Sequence, residues 1–235
     1  MSIYTIGDLH LSFAKPKPMD IFGNNWQNHE QKIEQDWINK VKDDDTVIIP
    51  GDFSWATYIE DAYLDFKFLN SLPGKKLLLK GNHDYWWTTV TSMRNYLEEN
   101  NFNTIDFIYN NSVEVEDKII VGTRGWTFQD SENCAKMINR EVQRLEISLK
   151  DAVKKNENNK EIIAFLHYPP LVSNLLLDNN HLEFYKILKE YNVKRCYYGH
   201  LHGKSHADAI NGEVGEINFQ LVSADYLDFK LLKIN

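Results

Sequence analysis

The sequence is short of several things, and each shortage excludes something. Its 235 residues include only two cysteines, Cys134 and Cys196, far apart and outside any Cys-x-x-Cys pair. A disulfide framework and a cysteine-ligated structural zinc are therefore not expected, and a reducing compartment is. No apolar run exceeds strand length, so no segment is expected to span a membrane. Met1 leads almost directly into an apolar strand pattern at Ile3–Ile6. With no basic n-region and no long apolar h-region, no secretory leader is expected, and a cytoplasmic location is the reading that follows. Positive charge is also in deficit: 26 Lys and Arg stand against 34 Asp and Glu, a net charge of −8. A basic sheath for nucleic acid is not expected. A phosphate substrate stays open, because bound divalent cations reverse the local field. Repeats and low-complexity segments are absent. Neither Gly nor Pro occurs between Trp126 and Tyr168.

What is present is enough apolar material, 43% of residues, for one sizeable core, and a single domain over 1–235 is expected. β-branched runs alternate with helical patterns. Strands are predicted at Ile3–Ile6, Thr46–Ile49, Lys76–Leu79, Ile119–Val121, Ile162–Leu166 and Arg195–Tyr198. Helical stripes run through Ile33, Trp37 and Val41, through Ile59, Ala62, Phe66 and Leu69, and from Thr89 to Asn100. The Gly- and Pro-free stretch places Ile138, Val142, Leu145, Leu149 and Ala152 on one face of a long helix. Asp130 or Ser131 is its expected cap, and Lys154–Lys160 its end. Core packing is the preferred reading of that face over partner binding, and no protein partner is evident. Near the C-terminus, Asn211-Gly212 signals a hairpin, with strands at Phe219–Val222 and Phe229–Ile234. The order is βα units first and hairpins last, stacked together.

Five of the predicted strands end in polar residues of metal-ligand type. Ile3–Ile6 leads into Gly7-Asp8-Leu9-His10, and Thr46–Ile49 into Pro50-Gly51-Asp52. Lys76–Leu79 leads into Gly81-Asn82-His83-Asp84, Ile162–Leu166 into His167, and Arg195–Tyr198 into Gly199-His200-Leu201-His202. Ligands of open α/β sheets bind beyond the carboxyl ends of the strands, so strands sharing a sheet would bring these residues to one edge. Singly, each motif has an ordinary explanation: Asp-x-His makes turns, and His167 before Pro169-Pro170 can close a strand. The ordered set has none in packing. Carboxylate, imidazole and amide oxygen suit borderline divalent metals such as Mn, Fe, Zn or Co. Asp8, His10, Asp52, Asn82, His167, His200 and His202 are too many for one tetrahedral ion and suit two ions sharing a carboxylate.

The series GDLH, GD, GNHD, a lone His, then GHLH resembles the calcineurin-like metallophosphoesterase superfamily over Asp8 to His202. The resemblance implies an α/β fold, a four-layer α/β/β/α sandwich with two mixed β-sheets. It implies one metal on Asp8, His10, Asp52 and His202, and a second on Asp52, Asn82, His167 and His200, with Asp52 bridging. It implies that His83 is the acid at the leaving group, oriented by Asp84. The activity implied is hydrolysis of phosphomonoesters or phosphodiesters of small molecules, by in-line attack of a metal-bridging hydroxide. A nuclease of the same superfamily is the enzymatic alternative, and the acidic balance weighs against it. A scaffold that lost its chemistry is the other, and every expected ligand position is occupied.

The chain also departs from the superfamily's protein phosphatases. Those carry an arginine just after the bridging aspartate, where this chain has Phe53-Ser54-Trp55-Ala56-Thr57. Arg124, flanked by Gly122 and Gly125, is a candidate substitute for binding substrate phosphate; the alternative is a surface arginine in a loop. The stretch Phe13–Asn28 reads either as a wall of the site or as an ordinary connection, and His29 as a residue of a helix start. Trp55, Trp86, Trp87 and Trp126 line a pocket or pack loops, packing being preferred for most. His181 and His206 read as structural or exposed.

Overall fold

The structure is a computed structural model and describes residues 1–127, 133–171 and 182–234. Its strands are β1 (Ile3–Thr5), β2 (Thr46–Ile49), β3 (Lys75–Leu78), β4 (Ile105–Phe107), β5 (Val113–Val115), β6 (Lys118–Thr123), β7 (Glu161–Leu166), β8 (Arg195–Tyr198), β9 (Gly212–Val214), β10 (Ile217–Leu221) and β11 (Leu232–Ile234). Its α-helices are α1 (His29–Lys40), α2 (Tyr63–Ser71), α3 (Val90–Glu99), α4 (Cys134–Lys155) and α5 (Glu183–Glu190). They form two mixed sheets. The first runs β11-β1-β2-β3-β4 and the second β5-β6-β7-β8-β10-β9. In the first, β11 alone is antiparallel to its neighbour. In the second, the parallel strands β6, β7, β8 and β10 are flanked by antiparallel β5 and β9.

Side-chain alternation explains the layering. On β2, Val47 and Ile49 face the core that holds Trp37 and Phe66, while Ile48 faces the other sheet. On β7, Ala164 and Leu166 face α4 and α5, while Ile163 and Phe165 face the first sheet. Strands buried on both faces read as continuous apolar runs rather than as alternation, as both of these do. Three apolar cores therefore separate four layers. The outer face of the first sheet carries α1, α2 and α3, through Ile33, Trp37, Phe66, Leu69, Met93 and Leu97. The outer face of the second carries α4 and α5, through Ile138, Leu145, Leu149, Phe184 and Leu188. The fold is the α/β/β/α sandwich that the resemblance implied, and the long helix packs as a core helix.

Several local expectations shift. The five ligand-bearing strands do not share a sheet: β1, β2 and β3 lie in the first, β7 and β8 in the second. The hairpin turn falls at Gly215-Glu216, not at Asn211-Gly212; Gly215 takes φ +61° and Gly212 already pairs with Phe219. Asn211 instead accepts the Leu221 amide at 2.9 Å. The last strand begins only at Leu232, because Asp228 and Phe229, at φ +53° and +57°, turn the chain first. Strands β4 and β5 and helix α5 carry no expectation from the sequence. The proposed caps Asp130 and Ser131 lie outside the described residues, as does His181. Among the described residues no helix is long and apolar enough to cross a membrane.

Candidate metal centre

The loops after β1 and β2 run side by side. The Asp8 amide donates to the Gly51 carbonyl, and the His10 amide to that of Asp52, both at 3.0 Å. To present their side chains there, Asp8, His10, Asp52 and His200 adopt left-handed backbone angles, φ 58°, 47°, 52° and 75°. For residues with a Cβ that costs about 1–3 kcal/mol each, and such strain concentrates at functional sites. Two glycines are required by close approach: a Cβ at Gly81 would overlap Asp52 Oδ1, and one at Gly199 would overlap Asp8 Oδ2. The two sheets are sewn together at this edge. The Gly7 amide donates to the Val222 carbonyl at 2.7 Å, and the His200 amide to Asp8 at 3.1 Å.

Among the described residues two groups of donor atoms result, Asp8 with His10 and His202, and Asp8 with Asp52 and His167, each within 4.8 Å. His10 Nε2 faces His202 Nε2 at 3.4 Å and Asp52 Oδ2 at 3.8 Å. His202 Nε2 stands 3.5 Å from Asp8 Oδ1. His167 Nε2 lies 3.6 Å from Asp52 Oδ2 and 2.6 Å from Asn82 Oδ1. His200 belongs to neither group; its ring centroid is 5.1 Å from that of His167 and 4.2 Å from that of Tyr168. Six of the seven expected ligands thus converge, and the seventh borders them.

The electrostatics fit divalent cations. Burial lowers the pKa of His10 well below the ordinary imidazole range, that of His167 to about 3, and that of His200 to about 4. These rings are neutral and keep a lone pair for a metal. Burial works against ionised Asp8, but the His202 hydrogen bond and the surrounding imidazoles hold its carboxyl well below the usual range. Asp52 is pushed well above it by burial and by the fields of Asp84 and Asp8. Burial also disfavours a charged His202, yet its bonds to Asp225 and Asp8 raise it to about 10. Buried carboxylates thus leave a demand for positive charge where the donor atoms meet, and the residues present suit divalent cations.

The surroundings hold the donors still. Asp225, absent from the sequence reading, is buried behind His202 and bonds its Nδ1 at 2.7 Å. That bond orients the ring with Nε2 toward the group, as carboxylates behind metal-ligating histidines do. The signal was available: Asp225 follows an apolar strand, β10, as the other site residues follow theirs. His206, read as structural or exposed, also reaches Asp225, at 3.3 Å. His167 Nδ1 is held by the Pro50 carbonyl at 3.1 Å. Trp26 meets the rings of His10 and His202 edge-on at 5.8 and 5.5 Å, and Trp55 stacks on His10 at 4.9 Å. The Phe13–Asn28 stretch is therefore a wall of the site. It is fastened by the Trp55 indole on Met19 Sδ at 3.3 Å and by Lys17 over the Trp55 ring at 4.2 Å. His29 bonds the carbonyls of Trp26 and Leu9 at 3.2 and 3.1 Å and is structural. Trp86 and Trp87 pack in the outer core.

His83 is half-buried, with its ring 4.2 Å from Trp55 and 5.7 Å from His10, and its amide donates to Asp52 Oδ1 at 2.8 Å. Burial and then Lys17 lower its pKa. Asp84 does not orient it. The buried Asp84 carboxylate accepts the amides of Asp52, Phe53, Ser54 and Gly81 and the Trp86 indole, at 2.7–3.2 Å. It ties the β2 and β3 loops together, and so spaces Asp52 from His83. Arg124 sits on the rim. Its carbonyl accepts the amides of His167 and Tyr168 at 3.2 and 2.8 Å, while its guanidinium lies over Trp126 at 4.4 Å.

Solved structures similar to this chain include several that are distant in sequence and share its fold. A search among curated proteins returned no match. A phosphopantetheinyl hydrolase (PptH) from Mycobacterium tuberculosis superposes with a TM-score of 0.58 at 13% identity, over 99% of this chain and 95% of that one. The protein TT1561 of Thermus thermophilus gives 0.58 at 13% over 99% and 97%. A protein of unknown function from Aquifex aeolicus, AQ665, gives 0.53 at 18% over 99% and 95%. The calcineurin-like phosphoesterase family profile matches residues 1–204, which include all seven expected ligands. With the sandwich and the convergent site, this match shows that the chain belongs to the calcineurin-like phosphoesterase family, the metallophosphoesterase superfamily.

Proposed function

We propose that the chain is a two-metal phosphoesterase that hydrolyses phosphomonoesters or phosphodiesters of small molecules. The observation that supports this most is the pair of donor groups sharing Asp8, with His10 and His202 face to face at 3.4 Å. Asp8, His10, Asp52 and His202 would hold one divalent metal, and Asp52, Asn82, His167 and His200 the other, with Mn, Fe or Zn suited to these donors. When bound, such a pair supplies an activated water at neutral pH and neutralises charge on the phosphoryl oxygens. The chain's own residues do the rest. Asp225 and the Pro50 carbonyl orient His202 and His167. Trp26 and Trp55 exclude water from the His10 side. His83, on that same side, donates the proton that the leaving oxygen takes up. Asp84 keeps the Asp52 and His83 loops in register. A cytoplasmic setting belongs to this reading, on the scarcity of cysteine.

The test is a substrate panel on the Mn²⁺-loaded protein: p-nitrophenyl phosphate, bis-p-nitrophenyl phosphate, cyclic nucleotides and nucleotide pyrophosphates. Turnover of at least one, lost on chelation and restored by Mn²⁺, is expected. A fully metal-loaded protein inert toward the whole panel would overturn the proposal.

A further inference from the structure

The ends of β3 and β6 and the front of α4 meet beside the metal centre, and they carry concentrated positive charge. Glu141, on α4, is fully buried, and its Oε2 accepts the Thr123 hydroxyl at 2.7 Å. Its Oε1 lies 2.8 Å from Arg144 Nη1, 3.8 Å from Arg124 Nη2 and 3.8 Å from Arg140 Nε. Half-buried Lys80 lies in the neighbouring loop after β3, just before Gly81-Asn82. One cation suffices to compensate a buried carboxylate. Here three stand around one, in a chain whose net charge is −8.

The guanidiniums are also oriented. Arg124 Cζ lies over the Trp126 ring at 4.4 Å, and Arg144 Cζ over that of Tyr109 at 5.0 Å. Arg124 Nε is buried with no hydrogen-bond partner among the described residues, and the Arg140 side chain is 50% exposed. Planar forks with unused donors match phosphate oxygens. The cluster borders the reacting centre on one side. The Arg124 carbonyl holds the His167 and Tyr168 amides, the Tyr168 ring lies 4.2 Å from His200, and Lys80 immediately precedes Gly81-Asn82. His83 and Trp55 stand instead against His10.

We infer that Arg124, Arg140 and Arg144 form a subsite for a second phosphate of the substrate, which makes phosphoanhydrides such as nucleoside diphosphates the preferred class. The reacting phosphoryl group would lie at the metal centre, and in that respect the inference rests on the proposed function. Anion binding by the cluster does not depend on turnover. It also gives Arg124 a different task from a clamp on the reacting phosphate.

Calorimetric titration of the Mn²⁺-loaded protein with AMP and with ADP, at fixed free Mn²⁺, tests it without requiring hydrolysis. ADP is expected to bind wild type about tenfold or more tightly than AMP, the worth of one charge-assisted guanidinium–phosphate contact. Arg140→Gln, at a half-exposed position 3.8 Å from Glu141, is expected to fold with an unchanged thermal midpoint and to lose most of that preference. Arg124→Gln is expected to lose it as well. Equal binding of the two nucleotides by wild type, or a preference that survives both substitutions, would overturn the subsite. If the ADP preference behaves as expected but no phosphoester is hydrolysed, the phosphoesterase reading fails and the subsite stands.

Discussion

The two sheets contribute unlike halves of the metal centre. Loops of the first supply Asp8, His10, Asp52, Asn82 and His83, and with Asp84 they carry three buried carboxylates. Loops after β7 and β8 of the second supply His167, His200 and His202. That sheet's other contribution is Asp225, placed behind His202 rather than in the centre. The first half is acidic. The second is mixed: burial holds His167 at about 3 and His200 at about 4, whereas Asp225 and Asp8 raise His202 to about 10. Neither half offers both charge and enough donors. The centre exists only because the sheets stack, and bonds such as His200 amide to Asp8 cross the seam.

The comparison can be broken at four points. The largest effect is expected at Asp52, the carboxylate common to both proposed ligand sets. Asp52→Asn should release both metals on dialysis and cut turnover by about 10³-fold or more, the loss of several kcal/mol of metal assistance. Elemental analysis with steady-state kinetics checks it, and retention of two metals would show that the first sheet is less essential than argued. His83→Ala should keep both metals yet cut turnover of poor leaving groups by about 10²–10⁴-fold. Unchanged turnover would remove the acid role. Asp225→Asn probes the second sheet: metal affinity should fall about 10–100-fold, at the His202 group first, so that Mn²⁺ stoichiometry drops toward one before it drops to none.

The smallest effect concerns the first sheet away from the site. Lys76 on β3 is buried, with its Nζ on the Leu72 carbonyl and, at 3.1 Å, on Thr104 Oγ1. Burial lowers its pKa from 10.5 to about 8. A depressed lysine favours the folded state when neutral. Relative to Lys76→Met, wild type should therefore gain stability as pH rises from about 8 toward 10.5 and lose it as pH falls through 8. Urea midpoints at pH 7.5 and 9.5 should show the difference moving by roughly 1 kcal/mol, and parallel curves would contradict it.

The ligand set was legible because each residue sits where an apolar run stops, a pattern set by local chemistry. Asp225 obeys the same grammar and was missed because no second motif residue accompanies it after β10. The resemblance implies that Asp84 orients His83. The Asp84 carboxylate accepts instead the local Gly81 amide and Trp86 indole and three amides, of Asp52, Phe53 and Ser54, brought close by the pairing of β2 with β3. The hairpin was displaced because Asn211, the residue that signals a turn, bonds the Leu221 amide across the sheet.

The sequence by itself determined which residues can act: carboxylates, imidazoles and an amide at strand ends, with a deficit of cysteine and of positive charge. Only the tertiary structure decided their arrangement. It divided them between two sheets, set Trp26 and Asp225 behind the imidazoles, turned Asp84 into a loop tie, and gathered three arginines on one buried glutamate. The reason is physical. Strand ends are set by residues adjacent in the chain, whereas burial, field and partner choice depend on segments that meet only when the sheets stack.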